Sequence, residues 1–204
     1  MNGKTSEDTE AQFWDGAYQS GEYRMDWEYA YPSQELVALV AAGVPKNRGV
    51  ILDVGCGSGQ EAVFLAKCGY DVIGVDVSTN ALKIAEKLAK KAKVKVDWRQ
   101  GSVYNLPVPD ASIDFINDRG LLHLISEERR PKYAKEVYRV LKPGGILFIR
   151  GADSNWGKEF TPITEESINN NFPKSTFDKG PVLSIQLISN GGARSARIVV
   201  LKRK

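Results

Sequence analysis

The sequence is poor in the residues that build metal sites, disulfides and membrane spans. It has one histidine and two cysteines among 204 residues. Cys56 and Cys68 match neither a CxxC redox pair nor a zinc spacing. No window approaches the ~18 uncharged apolar residues of a membrane span, and the polar N-terminus lacks the apolar stretch of a signal peptide. We therefore expect no metal, no membrane partner, and reduced thiols in a cytoplasmic protein.

The charge is nearly balanced and does not indicate a polyanionic partner. Lys and Arg number 28 against 25 Asp and Glu, a formal net charge of +3. Six lysines crowd positions 83–95, where helical spacing favours the solvated face of a helix over the alternative, a nucleic-acid patch. We expect no nucleic-acid partner, and no motif predicts an oligomeric state.

Strand-like and helix-like segments alternate along most of the chain. GVILDVG ends in glycine, EAVFLAKCG is helix-like, and DVIGVDV is a second β-branched run. The alternation continues to ILFIRGA, after which VLSIQLIS and ARIVVLKRK flank the hairpin signal Asn190-Gly191-Gly192. These seven strand-like runs predict an α/β fold, a Rossmann-like, doubly wound, mostly parallel seven-stranded sheet with a C-terminal antiparallel hairpin. We expect a single globular unit, in which an aromatic N-terminal segment (residues 1–32) precedes the main domain (residues 33–204).

The clearest motif is a glycine-rich turn between the first strand and the next helix. It reads Asp53-Val54-Gly55-Cys56-Gly57-Ser58-Gly59, and Asp76 closes the second strand. In open α/β sheets ligands bind beyond the carboxyl ends of the strands, where glycines let the backbone approach closely. A P-loop is excluded because GxxxxGK[ST] is absent, and a dinucleotide fingerprint fits poorly because Gln60 stands where its third glycine belongs. The turn predicts a nucleotide-type pocket without a phosphate-binding lysine.

The glycine turn followed by Asp76 resembles motifs I and II of class I S-adenosylmethionine-dependent methyltransferases. The likeness covers residues 33 to the end, including Lys142-Pro143-Gly144-Gly145 before a late strand. It implies a methyltransferase domain over 33–204, with S-adenosylmethionine as cofactor and S-adenosylhomocysteine as product. The cationic sulfonium of this cofactor favours acidic and aromatic neighbours over basic ones.

The resemblance also implies a set of cofactor contacts. Asp53 is expected to orient the amino group, Asp76 to accept hydrogen bonds from the ribose hydroxyls, and the turn to lie against the methionine part through Gly55, Cys56 and Gly57. Relatives often hold the adenine amino group with an acidic residue after the third strand, a position taken here by Ser102, whose hydroxyl can also accept a hydrogen bond. The candidates for the adenine pocket are therefore Val77, Ser102 and Val103.

The residues at the end of the fourth strand limit the class of methyl acceptor. It reads Asn117-Asp118-Arg119-Gly120 and lacks the [DNS]PP[YF] pattern of nucleic-acid amino methyltransferases. DRGxxHxI at residues 118–125, together with the N-terminal W-D-x-x-Y, resembles the thiopurine methyltransferase and tellurite-resistance branch. That likeness implies a small acceptor such as a thiol or chalcogen. It also adds four residues to the expected cofactor site: Trp14, Tyr18, Trp27 and Asp118. The aromatic segment is expected to form a lid over the cofactor, with a plain hydrophobic cover as the alternative.

Two residues are candidates for catalysis. Arg119 has two interpretations, a clamp for an anionic acceptor and an ordinary ion pair. His123, the only histidine, suits a general base for an OH or NH acceptor, and a buried, hydrogen-bonded histidine is the alternative.

Three other functions remain open beside methylation of a thiol or chalcogen. The first is O- or N-methylation of a small metabolite. The second is a sensor or partner subunit that binds S-adenosylmethionine without catalysis. The third, a nicotinamide-dependent oxidoreductase, is disfavoured by Gln60 and by the absence of a YxxxK pair.

Overall fold

Eight strands form one sheet in the computed structural model, which describes residues 6–21, 23–28, 30–46, 49–153, 156–158 and 160–204. The strands are β1 (Val50–Val54), β2 (Asp71–Asp76), β3 (Asp97–Gln100), β4 (Ile113–Arg119), β5 (Leu141–Ala152), β6 (Phe177–Lys179), β7 (Leu183–Ser189) and β8 (Gly192–Arg203). Their order is β3-β2-β1-β4-β5-β8-β6, with β7 also paired to β8. Strands β1 to β5 are parallel, and β8 is antiparallel to its three neighbours. The predicted α/β, mostly parallel sheet is confirmed.

Helices cover the sheet and precede it. They are α1 (Ser6–Ser20), α2 (Tyr23–Asp26), α3 (Gln34–Ala41), α4 (Gln60–Lys67), α5 (Thr79–Ala92), α6 (Arg130–Val140) and α7 (Glu165–Asn171), with a 3₁₀ turn at Leu122–Leu124. Helix α5 begins where the Ser78 hydroxyl accepts a hydrogen bond from the Ala81 amide. Its buried face consists of alanines, and all six lysines between positions 83 and 95 are exposed. Among the described residues, no helix has the length and apolar character needed to cross a bilayer.

Apolar side chains cover both faces of the parallel strands. On one face Leu36 of α3 and Leu65 of α4 pack with Phe115 and Phe148. The neighbouring strand positions point to the opposite face, where a second cluster includes Tyr133 and Val137 of α6, Ile116 and Leu147. Because both faces are buried, the strands have nearly continuous apolar runs, as expected for a doubly wound sheet.

The site is positioned by the reversal of strand order between β1 and β4. Strand β1 pairs with β2 on one side and with β4 on the other, so the chain proceeds outward from the centre in both directions. At such a switch point the loops after the two central strands separate and leave a crevice. The loops concerned begin at Gly55 and Gly120.

The C-terminal hairpin is confirmed, and the strand count needs correction. Strands β7 and β8 are joined by the two residues Asn190-Gly191. The sequence predicts seven strands, but the described part of the chain has eight, because the short β6 was not predicted. Strands β6 and β7 pair with different parts of β8. Pro181 lies between β6 and β7 and has no N–H to donate, so it interrupts what would otherwise be one long edge strand.

Candidate active site

The glycine turn after β1 requires backbone that only glycine adopts readily. Gly55, Gly57 and Gly59 have φ values of 61°, 53° and 81°. A Cβ on Gly57 would collide with the Tyr18 hydroxyl, and one on Gly59 would lie 2.7 Å from the Cβ of Ala85 on α5. The turn is therefore packed tightly on both sides, between the N-terminal segment and the neighbouring helix.

Asp76, at the end of β2, holds this turn in place. Its carboxylate accepts hydrogen bonds from the Gly57 amide at 2.8 Å and from the Ser78 amide at 2.9 Å. Burial raises the pKa of Asp76, and these backbone hydrogen bonds oppose that rise. One side chain thus links the glycine turn to the start of α5, next to the place where the resemblance puts a ribose.

A buried polar network lies beneath the turn. Asn117 of β4 donates from its Nδ2 to the Asp53 Oδ1 at 2.6 Å and to the Glu61 Oε2 at 2.7 Å. Arg150 of β5 makes two hydrogen bonds to the Glu61 carboxylate, at 3.0 and 2.8 Å, and also donates to the Asn117 carbonyl oxygen. The Ser33 hydroxyl accepts a hydrogen bond from Arg150 as well. The Asp53 and Glu61 carboxylates therefore share the Asn117 amide, and the Arg150 guanidinium pairs with Glu61.

The two carboxylates differ in how easily they ionise. Burial, followed by the charge on the nearby Glu61, raises the pKa of Asp53 to about 7, against the hydrogen bond from Asn117 and the charge on Arg150. Burial also opposes ionisation of Glu61, but the Arg150 guanidinium outweighs it and holds the pKa of Glu61 well below its usual range. Glu61 is therefore ionised, and Asp53 is the carboxyl that exchanges its proton near neutrality.

The N-terminal helix α1 is attached to the start of α5 by Asp15. One Asp15 carboxylate oxygen accepts hydrogen bonds from the Ser78 hydroxyl at 2.7 Å, the Thr79 hydroxyl at 3.2 Å and the Asn80 amide at 2.9 Å. A carboxylate at a helix N-terminus is stabilised by the unpaired amides there. This contact places the next turn of α1, which carries Tyr18, against the glycine turn.

Three aromatic residues of the N-terminal segment form a cover. Trp27 packs edge-on against Trp14, with ring centres 5.8 Å apart, and against Tyr18 at 6.4 Å. Tyr18 also packs on the buried Tyr23 at 4.7 Å. Burial raises the pKa of Tyr18, and the neighbouring Asp76 raises it further, so its hydroxyl is protonated.

A cavity of about 80 Å³ lies between this cover and the turn. Its lining brings together predicted site residues and others, namely Tyr18, Trp27, Glu28, Asp53, Gly55, Cys56, Gly57, Ser58, Gln60, Glu61 and Arg119. Small-molecule sites usually hold ~300–1,000 Å³, so this cavity is smaller than a site of nucleoside size. The lining suits S-adenosylmethionine in its chemistry, since it offers carboxylates and aromatic rings and, among the described residues, no lysine.

Arg119 lies where the cavity meets the C-terminal hairpin. Its guanidinium is 3.9 Å from the Glu61 carboxylate and donates to the Ile188 carbonyl of β7 at 3.0 Å. At the tip of the same hairpin, Asn190 donates from its backbone to the Glu28 carbonyl and from its side chain to the Arg24 carbonyl, both at 2.8 Å. The hairpin is therefore hydrogen-bonded to the N-terminal segment at the mouth of the cavity.

Asp118 points away from the cavity that contains Arg119. It is fully buried, and its carboxylate accepts hydrogen bonds from the Leu121 and Leu122 amides and from the Tyr133 hydroxyl. Burial raises its pKa to about 6, against those hydrogen bonds. The side chain shapes the turn after β4, and it does not line the cavity.

His123 is buried at 5% exposure below the same turn. Its Nδ1 accepts a hydrogen bond from the Ala152 amide at 2.7 Å, so in the neutral ring the hydrogen is on Nε2. Trp156 and Phe160 pack against the ring at 5.2 and 5.1 Å. Burial, followed by the charges on Arg119 and Arg130, lowers the pKa of His123 to about 3.

The predicted adenine-pocket residues lie after β2 and β3, outside the cavity lining. The Val77 carbonyl accepts a hydrogen bond from the Gln100 side chain at 3.3 Å, and the Ser102 hydroxyl accepts one from the Tyr104 amide at 3.2 Å. Val103 is 9% exposed and belongs to the core. The structure brings all three to the same edge of the sheet as Asp76.

Sequence reasoning missed the residues that support Asp53. Glu61 occupies the first turn of α4, and Asn117 and Arg150 lie in buried strands. One signal was available, because Arg150 interrupts the apolar run ILFIRGA and a fully buried arginine needs a carboxylate partner. The identity of that partner, 89 positions earlier in the chain, required the fold.

Comparison with known proteins gives one consistent family. Residues 51–145 match the family model described as "Methyltransferase domain". The chain is 30% identical over 156 residues to the uncharacterized methyltransferase sll0829 of Synechocystis sp., covering 68% of this chain and 70% of that protein. It is 29% identical over 127 residues to a 2-heptyl-1-hydroxyquinolin-4(1H)-one methyltransferase of Mycobacteroides abscessus, covering 62% and 55%. A ubiquinone biosynthesis O-methyltransferase of Coxiella burnetii is 30% identical over 149 residues, covering 71% and 63%. The matches thus span only 55% to 70% of these relatives' lengths.

Solved structures share the fold. A magnesium protoporphyrin IX methyltransferase from Synechocystis PCC 6803 with bound S-adenosylmethionine aligns with a TM-score of 0.77 at 15% identity, over 100% of both chains. A structure described as conversion of a disulfide bond into a thioacetal group during echinomycin biosynthesis aligns with a TM-score of 0.83 at 22% identity, over 96% of this chain and 93% of the other. At these identities the likeness establishes the fold alone.

Proposed function

The chain belongs to the class I S-adenosylmethionine-dependent methyltransferases, and on that premise we propose that it transfers the cofactor's methyl group to a small-molecule acceptor whose nucleophile ionises without help from the protein. A thiol or a chalcogen is the acceptor class that fits best. When bound, the cofactor supplies a methyl group activated on a sulfonium. The chain supplies the binding site, the alignment of the acceptor and the exclusion of water.

The observation that carries the proposal is the cavity at the glycine turn, with Asp53 beneath it and Asp76 beside it. Gly55, Gly57 and Asp53 all line this cavity, and the methionine part is proposed to lie against them. Asp76 would accept hydrogen bonds from the ribose hydroxyls, which can replace part of what the backbone amides now provide. Val77, Ser102 and Val103 are proposed to border the adenine.

Water exclusion is assigned to the aromatic cover. Trp27 packs against both Trp14 and Tyr18, and Tyr18 and Trp27 line the cavity. In this proposal they open to admit the cofactor and close over it, which leaves the sulfonium beside aromatic faces and away from water.

The environment of His123 supports an acceptor that needs no general base. Its Nδ1 lone pair is already used by the Ala152 amide, and its Nε2 carries a hydrogen, so the neutral ring has no free site for a proton. Taking up a proton would also place a charge in a site where burial holds the pKa at about 3. His123 is therefore proposed to hold the end of β5 in place.

Arg119 is the proposed contact for an anionic acceptor. Its side chain lines the cavity and lies between the Glu61 carboxylate and the Ile188 carbonyl. A guanidinium at this position attracts a thiolate or selenide and also orients it toward the turn.

O-methylation of a hydroxylated ring is the second candidate function. It is favoured by the relatives from Mycobacteroides abscessus and Coxiella burnetii, whose names describe a hydroxyquinolinone methyltransferase and an O-methyltransferase. An acidic phenol or N-hydroxy group ionises more readily than an alcohol, so such an acceptor also needs little help from a base.

A coupled assay for release of S-adenosylhomocysteine separates these candidates. The purified chain is incubated with S-adenosylmethionine and a panel of thiols, selenite, tellurite, phenols and amines. The proposal expects turnover with thiols or chalcogens, and turnover with phenols alone would establish the second candidate. Calorimetry with S-adenosylhomocysteine and NAD tests the premise, because tighter binding of NAD would contradict both.

A further inference from the structure

We propose that cofactor binding is coupled to release of a proton from Asp53, and that the Glu61–Arg150 ion pair is the positioning element that sets this coupling. The inference rests on the proposed function, because it needs the ammonium group of the cofactor's methionine part to meet Asp53. It adds a property that the family's motifs do not specify, since Glu61 and Arg150 lie outside those motifs.

The geometry keeps two carboxylates close together and away from water. Asp53 is 4% exposed and Glu61 5% exposed. Both accept hydrogen bonds from the same Asn117 nitrogen, so they lie within reach of one side-chain amide. Two like charges that share one amide donor in a poorly hydrated site repel each other, which favours a state in which one of the two groups retains a proton.

Arg150 decides which carboxylate is charged. Its guanidinium makes two hydrogen bonds to Glu61, and it reaches Asn117 rather than Asp53. The Asn117 carbonyl oxygen is held by Arg150, so the amide nitrogen must face both carboxylates. Glu61 thus receives the cation, and Asp53 is left with a neutral hydrogen-bond donor.

The other groups around Asp53 do not change this assignment. Helix α4 contributes Glu61 and the Ala62 amide, and the Ala62 amide donates a hydrogen bond to Asp53. Strands β4 and β5 contribute Arg119 and Arg150, both of which pair with Glu61, and the charge on Arg150 also lowers the pKa of Asp53 without outweighing burial. Burial, followed by the charge on Glu61, raises the pKa of Asp53 to about 7.

An ammonium group that binds beside Asp53 reverses the preference of this carboxyl for its protonated form. Its positive charge favours the ionised carboxylate, so the Asp53 proton passes to the solvent and the ammonium N–H donates to the carboxylate. The net change is one proton lost from the protein and one ion pair gained. Binding therefore weakens as the pH falls below 7, because a larger fraction of the Asp53 carboxyls is then protonated and must lose a proton before the ion pair forms.

The test measures protons directly, by calorimetry of S-adenosylhomocysteine binding in two buffers that differ in ionisation enthalpy. With a pKa of about 7, we expect release of about half a proton per site at pH 7 and about one at pH 6. We expect the Kd to rise about fivefold between pH 7 and pH 6. The matched control ligand is 5′-deoxy-5′-methylthioadenosine, which has the nucleoside and the sulfur but no ammonium, and for which we expect no release.

Substitutions at Asp53 and Glu61 test whether the released proton comes from Asp53. Asp53→Asn is nearly isosteric with the protonated acid, and we expect it to abolish both the release and the pH dependence of Kd. Glu61→Gln removes the neighbouring charge and should shift the pH dependence to lower pH, whereas Glu61→Asp should restore a profile close to that of the parent. A purely structural role for Glu61 would weaken binding without moving the profile.

Infrared difference spectroscopy of the parent chain detects the protonated carboxyl directly, so this test does not depend on whether the Glu61 variants fold. We expect the carbonyl band of a protonated carboxyl to disappear when S-adenosylhomocysteine is added. Binding of S-adenosylhomocysteine with no proton release and no change in this band would overturn the inference and leave the proposed function intact. Failure to bind S-adenosylhomocysteine at all would instead overturn the proposed function.

Discussion

Replacing His123 by glutamine separates a catalytic role from a structural one. In the structure the ring accepts a hydrogen bond from the Ala152 amide and packs against Trp156 and Phe160. A general base contributes ~10²–10⁴-fold to turnover, and a ring that only supports β5 contributes little. We therefore expect the maximal turnover of His123→Gln to stay within roughly tenfold of the parent, with a pH profile that follows the acceptor's own ionisation.

The structural role predicts a loss of stability at neutral pH. Leaving the buried Ala152 amide without an acceptor costs ~1–3 kcal/mol, which lowers the Tm of a chain of this size by about 2–4 °C per kcal/mol. His123→Asn is the matched control, because its side-chain oxygen lies close to the position of Nδ1 and can accept the same hydrogen bond. We expect the Asn variant to recover part of the stability without any change in turnover.

The same ring makes the parent sensitive to acid. Its pKa is lowered to about 3 in the folded chain from the ordinary histidine value of 6.5. Between these values the unfolded chain binds a proton that the folded chain does not, so the stability falls as the pH drops below 6.5. From pH 6.5 to pH 4.5 this amounts to roughly 2–3 kcal/mol. The glutamine variant lacks this dependence, so its stability deficit should shrink over that range.

The assays are steady-state release of S-adenosylhomocysteine and urea unfolding of parent and variants at pH 6.5 and pH 4.5. A thousandfold loss of turnover in a folded, cofactor-binding His123→Gln protein would refute the reasoning and favour an O- or N-methyltransferase with His123 as base. A stability difference between parent and variant that is the same at both pH values would refute the buried, neutral ring.

Three further predictions concern the cofactor site and its cover. Asp76→Ala should weaken S-adenosylhomocysteine binding by roughly 1.5–3 kcal/mol, the scale of a hydrogen bond to a charged group, and an unchanged Kd by calorimetry would contradict the assignment. Amide hydrogen exchange over residues 13–31 should slow on saturation with S-adenosylhomocysteine; exchange that does not change would leave the segment as a fixed hydrophobic cover. Asn190→Ala removes the side-chain hydrogen bond to the Arg24 carbonyl, so exchange around residues 24–28 should speed up in the free protein. Ser184→Ala on the same hairpin is the control. Equal effects of the two variants would argue against a specific role for the hydrogen bond between Asn190 and the Arg24 carbonyl.

Local sequence was sufficient for the parts of the fold that depend on chain neighbours. The alternation of β-branched runs with helical segments predicted the parallel sheet, and Asn190-Gly191 predicted the turn of the last hairpin. The short β6 was missed because FDK has no alternating apolar pattern, and its pairing depends on the position of β8. Gly55 and Gly57 were predicted because a turn that close to a strand and a helix needs positive φ, which few residues other than glycine adopt.

What the sequence determined by itself is therefore the family, the sheet and the glycine turn, since each has a local pattern with a direct physical cause. The tertiary structure decided which polar side chains meet. It turned Asp118 inward to the Tyr133 hydroxyl, and it joined Asp53 to Glu61 and Arg150 across three elements of the fold. Such contacts bring together residues far apart in the chain, and burial then changes their ionisation by amounts that no local pattern encodes.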